Sequence, residues 1–442
     1  MVLVKGLALS TTTWKLLLPI LCAHGAPALE DSSPVVPDGW AEAEVWDASQ
    51  SILGSEATEA CEVSHVTAFE MAKGRHPPVV FSTSADDYPE MPRIVPSNSS
   101  AGEQWEFDAF SDDAQSGIIF GFYRDPTYSF LGSGNLRMYI EINGPGFAER
   151  FVQVDYPGQS TITHCPGRGT TGVWRDDSRS SGSGYSYSWE VSSDMSRARV
   201  IWDTPRTKGT LTLNRKGVSQ STYGDGSLWP TANASMMTSP HFYLFDPLPV
   251  AHATLEAVVD GQALKWSGAG GHTRLWNAFN WFTCLNEMLV VRFRTGPFAL
   301  TMWVSESWLY RGSWTQTITL FENGEQVFRS QRTESSDEED WFDWAKIYSK
   351  EDGGVAGSFK DKSTGLQMDL VSPSRGRQWS FIITYRSVFF EFFLGGGVGG
   401  TGYAATVVGG ELGEQSQVSG VALVEGLQFP EKSLVLKRNY VE

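Results

Sequence analysis

Short segments that alternate apolar and polar residues recur along most of this 442-residue chain, and they constrain its fold more than any other feature. Residues 103–110 show the period of two that a half-buried strand requires. Trp105 and Phe107 fall on one face, and Glu106 and Asp108 fall on the other. No stretch of the mature chain keeps a helical period for sixteen residues or more. The pattern therefore predicts an all-β protein built of barrels or sandwiches.

The length of the chain and one loosening of the pattern predict two domains. Between residues 222 and 250 the strand pattern gives way to Gly, Pro, Asn and Met, and Pro247 and Pro249 flank Leu248. We therefore expect a loosely ordered lead-in at residues 26–75, followed by two β-rich parts in tandem. These are an N-terminal β domain at 76–245 and a C-terminal β-barrel domain at 246–442.

Composition bounds the class of protein and its partners. With 41% hydrophobic and 19% charged residues, the chain can bury a core and is not a disordered protein. Its formal net charge of −17 argues against nucleic acid as a partner, because phosphate binding draws on clustered Lys and Arg.

The N-terminal segment has the features of a signal peptide. Lys15 precedes the apolar run from Leu16 to Cys22, and small residues that suit cleavage follow. The run is too short to cross a bilayer, so we expect a removed signal peptide at residues 1–25 and no membrane span. The chain would then lie in the secretory pathway or be secreted. The alternative is a disordered N-terminal arm.

Cleavage would leave three cysteines, Cys61, Cys165 and Cys284, enough for one disulfide bond and one free thiol. We expect the bond to join Cys61 and Cys165. Two sequons, at Asn98 and Asn233, would be open to glycosylation in the secretory pathway.

Residues 268–281 hold more polar and aromatic side chains than an ordinary connection needs. We expect a glycine-rich loop there that places His272, Arg274, Trp276 and Asn277 at the edge of a large pocket. The residues that follow predict a hairpin, with strands at 289–294 and 298–304 joined by a Gly-Pro turn.

The sequence lacks the usual motifs of metal, nucleotide or covalent chemistry. It has no Cys-x-x-Cys pair, no His-Glu-x-x-His, no phosphate-binding Gly-x-x-x-x-Gly-Lys and no Gly-x-Ser-x-Gly elbow. Residues 395–400 satisfy Gly-x-Gly-x-x-Gly, but residues 401–408 predict a strand where a dinucleotide site needs a helix. A flexible turn or a gate near the pocket fits these glycines better, and we expect no cofactor.

Aromatic residues in both halves either pack in the core or line a large apolar cavity. They are Trp105, Tyr187, Trp189, Trp276, Trp281, Trp303 and Trp379. Glu391 interrupts the apolar run 388–394, so its carboxylate is either paired, with Arg386 as one candidate, or held in an apolar site with a raised pKa. Such a cavity suits carriage of a lipophilic ligand, or catalysis that folds a flexible substrate into one reactive conformer.

Four segments resemble the fungal Diels–Alderases, lipocalin-like pericyclases that are distantly similar to the carotenoid hydratases. They are residues 105–113, 185–189, 241–249 (His-Phe-Tyr-Leu-Phe-Asp-Pro-Leu-Pro) and 268–281. The resemblance implies two tandem lipocalin-like β-barrel or β-sandwich domains, with a substrate pocket between or beside them and no cofactor. It also implies a normal or hetero [4+2] cycloaddition of a lipophilic polyketide or polyketide–terpene substrate in secondary metabolism.

The resemblance and the residue types together give a candidate site. Trp276 would be a pocket wall, and a donor such as Arg274, Tyr187 or a protonated Glu391 would lower the energy of the dienophile LUMO or assist loss of water. The candidate catalytic residues are Arg274, Tyr187, Glu391 and Asp108. The candidate substrate-binding residues are Trp105, Trp189, His272, Trp276, Asn277 and Trp379. An isoprenoid hydratase or dehydratase, and a secreted lipocalin-like carrier, are the alternatives.

Overall fold

The computed structural model describes residues 53, 60–68, 80–95, 101–126, 135–176, 184–332, 342–413 and 417–431. The expected signal peptide, most of the expected lead-in and the sequon at Asn98 lie outside these residues, so they stay predictions. Asn233, at the second sequon, is exposed.

The first part of the described chain forms one large antiparallel sheet and a separate two-stranded pair. The strands are β1 (Glu62–Thr67), β2 (Val80–Phe81), β3 (Ile94–Val95), β4 (Gly102–Ser111), β5 (Gly117–Arg124), β6 (Leu136–Asn143), β7 (Phe151–Asp155), β8 (Gln159–Cys165), β9 (Gly169–Asp176), β10 (Tyr185–Ser192), β11 (Arg197–Asp203), β12 (Thr207–Asn214), β13 (Thr222–Tyr223), β14 (Met237–Ser239), β15 (Phe242–Val259) and β16 (Gln262–Asn277). The first sheet has the order β1-β8-β9-β10-β11-β12-β15-β16-β4-β5-β6-β7, with β13 and β14 paired to β15, and β2 pairs with β3.

The second part forms another antiparallel sheet. Its elements are α1 (Trp281–Cys284), β17 (Leu285–Thr295), β18 (Phe298–Ser307), β19 (Trp314–Glu322), β20 (Glu325–Ser330), β21 (Trp344–Lys350), β22 (Gly365–Ser372), a 3₁₀ turn (Pro373–Arg375), β23 (Arg377–Gly395), β24 (Val398–Glu411) and β25 (Val418–Gln428). The strand order is β20-β19-β18-β17-β25-β24-β23-β22-β21. The prediction of an all-β protein is confirmed.

Strand β4 contributes to two buried regions at once. Its side chains Trp105 and Phe107 lie in the apolar interior of the first sheet. Because successive side chains of a strand point to opposite faces, Gln104 and Glu106 face the second sheet, where β4 contacts β25. The predicted alternation is confirmed, but the polar face is also covered by protein.

Two apolar clusters hold the sheets together. One joins Leu275 of β16 to Trp303 of β18 and Leu427 of β25. The other joins Ile119 of β5 to Phe390 of β23. All the described residues accordingly belong to one structural unit, in which strands of the two sheets contact each other.

The expected domain boundary needs correction. The division between residues 245 and 246 falls inside β15, and the chain passes to the second sheet only after Asn277. Pro247 and Pro249 suggested a linker because proline cannot donate a ladder hydrogen bond. Here the pairing of β15 with β16 shifts register on each side of Leu248, so the prolines lie at irregularities of a continuous strand.

The expected glycine-rich loop at 268–281 is wrong as well, since residues up to Asn277 belong to β16. Its glycines serve the close approach of β16 to β4. A Cβ at Gly268 would lie 1.9 Å from the carbonyl oxygen of Phe110, and one at Gly270 would lie 2.2 Å from that of Asp108. A pattern typical of a turn here marks two backbones in contact.

Other local predictions are confirmed. The hairpin β17–β18 turns at Gly296, and Gly396 and Gly397 form the turn between β23 and β24, where no helix follows. A disulfide bond joins Cys61 to Cys165, and Cys284 is a buried free thiol. Within the described ranges, no helix has the length and apolar character that crossing a bilayer requires.

Replacing Gly268 with alanine is expected to lower the free energy of unfolding by about 1–3 kcal/mol, because the new Cβ would force β4 and β16 apart. Gly426→Ala in β25 is the matched control, since a Cβ there would meet no atom within 4 Å. Urea denaturation of both variants measures the changes. Equal effects of the two substitutions would contradict the account of these glycines.

Candidate active site

A cavity of about 100 Å³ lies between the two sheets. Strands β4, β5, β6 and β16 provide one wall, and β17, β18, β23 and β25 provide the other. We call it the inner cavity. Its lining residues are Gln104, Glu106, Ile119, Gly121, Tyr123, Arg137, Tyr139, Leu275, Trp281, Met288, Trp303, Phe392, Leu394, Glu425, Leu427 and Phe429.

Two carboxyl groups line the inner cavity from opposite sheets, Glu106 on β4 and Glu425 on β25. Burial, followed by the charges of Glu425 and Asp108, raises the pKa of Glu106 well above its usual range. Burial, followed by the charge of Asp108, raises the pKa of Glu425 to about 8. Glu425 is therefore largely protonated at neutral pH, and a protonated carboxyl can donate a hydrogen bond into the cavity.

The charges behind this wall contribute to the raised pKa values of Glu106 and Glu425. Arg292 Nη2 lies 3.1 Å from Asp108 Oδ2 and donates to the Thr273 hydroxyl at 3.0 Å. Thr273 donates to Asp246 at 2.5 Å, and the indole Nε1 of Trp303 donates to Asp246 at 3.3 Å. The guanidinium of Arg292 carries one charge, so it cannot by itself neutralise Asp108, Asp246 and the two glutamates of the cavity wall.

Two tyrosines add polar groups to the first-sheet wall. The guanidinium of Arg137 stacks over the Tyr123 ring at 4.1 Å. Tyr139 donates its hydroxyl hydrogen to Glu141, two residues further along β6. Burial, as the largest cause, raises the pKa of both phenols, so both stay neutral.

A wider cavity of about 530 Å³ adjoins the inner one, and we call it the outer cavity. Phe429 lines both. Neighbouring residues of the same strand divide between them: Leu427 lines the inner cavity and Gln428 the outer. The outer cavity is polar, with lining groups that include Glu287, Glu306, Arg311, Lys360 and Glu431.

The structure places Arg274 and His272 inside the first sheet, against the chain's own segment 82–93. Arg274 is fully buried, donates to three backbone carbonyl groups and to Glu103 Oε2 at 3.2 Å, and stacks on Trp105 at 3.6 Å. His272 Nε2 lies 3.1 Å from the Glu90 carboxylate, and its ring stacks on Phe107 at 3.8 Å. These contacts engage both side chains with protein groups.

The other predicted residues are also packed within protein. Trp105 donates to the carbonyl of Glu90 and stacks on Trp189, and Trp276 donates to the carbonyl of Ser82. Asn277 accepts from the N–H of Gly102 at 3.2 Å. Tyr187 donates to Asp155, and Trp379 packs beside Phe328 in the core of the second sheet. None of the ten predicted catalytic and substrate-binding residues lines the inner cavity, and their contact with substrate stays a prediction.

Two of the predicted residues lie close behind the inner cavity. Asp108, on the same face of β4 as Glu106, pairs with Arg292. Glu391 is paired, as expected, but its partner is Arg150 at 3.4 Å, while Arg386 donates to Thr406. Burial alone would raise the pKa of Glu391. Hydrogen bonds from the N–H and O–H of Ser358, a hydrogen bond from Thr401 and the charge of Arg150 outweigh it, so the pKa lies below its usual range and the alternative of a raised pKa is wrong.

The cavity residues that the sequence analysis missed carried a usable signal. Glu425 interrupts the apolar run 421–427 just as Glu391 interrupts its own, yet only Glu391 was chosen. Glu106 was placed on a polar face, and nothing in one strand shows that such a face is covered by another sheet. Among the described side chains, no group of three or more His, Cys, Asp and Glu could hold a metal ion.

The ionisation of Glu425 should make folding stability depend on pH. An ordinary glutamate titrates near pH 4.3 and Glu425 at about 8, so between these values the folded state binds more protons than the unfolded state. The free energy of unfolding is therefore expected to fall as the pH rises from about 5 to 8. Glu425→Gln should reduce this slope, with Asp108 and Glu141 keeping part of it, whereas Glu256→Gln, at an exposed position of β15, should leave the slope unchanged. Urea unfolding at several pH values in this range measures the free energy of unfolding. If its pH dependence is unchanged in Glu425→Gln, the raised pKa assigned to Glu425 is refuted.

Comparison with known proteins agrees with the fold. A model of the Diels-Alderase-like family matches residues 58–430. Diels-Alderase ffsF of Aspergillus flavipes is 46% identical over 90% of this chain and 93% of its own length, and Diels-Alderase cheD of Chaetomium globosum is 43% identical over 96% and 97%. The crystal structure of CghA with Sch210972 matches with a TM-score of 0.69 and 21% identity, covering 84% of this chain and 99% of that one, which shows a shared fold. The chain belongs to the Diels-Alderase-like family.

Proposed function

We propose that this chain is a cyclase that catalyses a stereoselective [4+2] cycloaddition of a lipophilic substrate in fungal secondary metabolism. Relatives that are 43–46% identical over most of their length are named Diels-Alderases. The observation that carries the proposal is the pair Glu106 and Glu425, two carboxyl groups with raised pKa values in the lining of a largely apolar cavity.

The cavity walls would select the reactive conformer. Trp303, Phe392 and Leu427 give an apolar surface on which a polyene can fold with its diene against its dienophile. Holding the reacting ends together can remove roughly 7–11 kcal/mol of the barrier. The hydrogen bond from the Trp303 indole to Asp246 fixes this wall from behind.

A protonated carboxyl would supply the electrostatic part of catalysis. Its O–H donates to a carbonyl conjugated with the dienophile and stabilises the charge that builds on that oxygen during the reaction. Two carbon–carbon σ bonds form while three π bonds become one, and the proton remains on the carboxyl. The substrate therefore needs an activating carbonyl and no leaving group.

The two cavities together indicate an elongated substrate. The inner cavity, at about 100 Å³, is smaller than the roughly 300–1,000 Å³ usual for sites that enclose a small molecule. The reacting part would occupy it, and the remainder would pass Phe429 into the outer cavity.

The test is incubation of purified protein with linear polyenes that carry a dienophile conjugated to a carbonyl. Wild type is expected to give one cyclised stereoisomer of unchanged mass, faster than buffer. Glu425→Leu should lower the rate about 10²-fold, because a donor at the developing charge is lost. Glu425→Gln should lose less, because an amide still donates, and the exposed Glu256→Gln serves as the control. The wild-type rate should fall above pH 8 as Glu425 ionises.

The alternatives give different products in the same experiment. A hydratase or dehydratase using the same carboxyl pair would change the substrate by the mass of one water. A carrier would return the substrate unaltered. Either result in place of a cyclised isomer would sink the proposal.

A further inference from the structure

A chain of polar contacts runs from the inner cavity to the protein surface. Tyr139, which lines the cavity, donates to Glu141 Oε2. Arg150 Nε lies 3.1 Å from Glu141 Oε1, and Arg150 Nη2 lies 3.4 Å from Glu391 Oε2. Glu391 is held by Ser358, through its N–H at 2.6 Å and its O–H at 2.8 Å. The contacts join β6 and the residues before β7 to β23 of the other sheet.

Glu141 is the buried centre of this series of polar contacts. Its side chain has no exposure, whereas 31% of the Arg150 side chain is exposed. Besides Tyr139 and Arg150, the Glu141 carboxylate accepts the backbone N–H of Glu391 at 3.1 Å. A carboxylate this enclosed stays ionised only if positive charge and donors reach it, and Arg150 brings the charge.

We infer that Arg150 is a positioning residue for the cycloaddition: by pairing with Glu141 it keeps that carboxylate available to Tyr139 and so fixes the phenol in the cavity wall. With its hydrogen given to Glu141, Tyr139 presents only oxygen lone pairs to a ligand. The wall then accepts a hydrogen bond at this point, while Glu106 or Glu425 donates one elsewhere. A substrate with an O–H or N–H group close to its activating carbonyl fits this arrangement.

Without Arg150, the direction of the hydrogen bond between Tyr139 and Glu141 should reverse. A protonated Glu141 would donate rather than accept, and the Tyr139 hydroxyl would be free to turn toward the ligand. Burial raises the pKa of Glu141 to about 7. The hydrogen bond from Tyr139, the charge of Arg150 and the hydrogen bond from the Glu391 N–H each lower this pKa, and the negative charge of Glu391 raises it. Removal of Arg150 therefore takes away one of the interactions that lower the pKa of Glu141, so this pKa should rise.

The other charged and titratable groups around Tyr139 and Glu141 set the background for this effect. Tyr123 and Arg137 lie on the same wall, and Glu106 and Glu425 titrate across the same cavity. Glu391 faces Glu141 from β23. These groups remain in every variant that changes Arg150 alone.

The test rests on the proposed function and compares the pH dependence of kcat/KM in wild type, Arg150→Met and Arg150→Lys. Wild type should show an acid limb near pH 7. Arg150→Met should move this limb upward by about one pH unit, which is about fivefold lower activity at pH 7, and Arg150→Lys should restore it. Arg206→Met removes another surface arginine, paired with Asp260, and should leave the limb in place.

Two further variants separate positioning from simple loss of structure. In a Tyr139→Phe background, Arg150→Met should cause no additional loss, because the phenol that Arg150 positions is gone. Glu391→Gln should move the acid limb downward, because the negative charge of Glu391 raises the pKa of Glu141. Damage to the fold would lower activity at every pH and would not move the limb in this direction.

An unmoved limb in Arg150→Met, or equal losses with and without the Tyr139 hydroxyl, would overturn the inference. Infrared titration of the Glu141 carboxyl, assigned by comparison with Glu141→Gln, needs no substrate and should show a higher pKa in Arg150→Met. Absence of cyclised product from wild type would defeat the proposed function. The titration would still show whether Arg150 controls Glu141, and an unchanged pKa there would refute it independently.

Discussion

The burial of both faces of β4 is the constraint on which the rest of the structure depends. One face supplies Trp105 and Phe107 to the interior of the first sheet, and the other meets the second sheet. If one face of β4 were in contact with water, Glu106 would be solvated and its pKa would lie in the usual range of a glutamate. Because the second sheet covers it, this carboxyl group shares a largely apolar cavity with Glu425.

The electrostatic character of the cavity follows from that burial. Desolvation is the largest cause of the raised pKa of Glu106, Glu425, Asp108 and Asp246, and the positive charge of Arg292 lowers the pKa of Glu106, Asp108 and Asp246 without outweighing it. Keeping carboxyl groups neutral in an apolar site costs stability above their usual titration range. The same raised pKa makes the Glu425 carboxyl a hydrogen-bond donor at neutral pH in a largely apolar cavity, and a donor placed in such a site can stabilise charge that develops during a reaction.

Much of the fold was predictable from local pattern, and most of the site was not. The alternation of apolar and polar residues predicts the strands, including the two faces of β4. The expected disulfide bond between Cys61 and Cys165 is also present. The glycines of 268–271 misled because a close strand–strand approach and a turn use the same residue. The polar residues beside them, Arg274 among them, point to segment 82–93, a partner far away in sequence. The carboxyl pair comes from strands about 320 residues apart, and only the stacking of one sheet on the other brings its members together.

The central claim is that substrate binds between the sheets with its carbonyl against the carboxyl pair. A crystal structure with the cyclised product, or with an unreactive analogue of the linear substrate, tests it most directly. The account predicts a ligand oxygen within about 2.6–3.2 Å of the Glu106 or Glu425 carboxyl, hydrocarbon against Trp303, and the remainder extending past Phe429. A ligand found instead inside the first sheet, in contact with His272 and Arg274 and displacing segment 82–93, would contradict it.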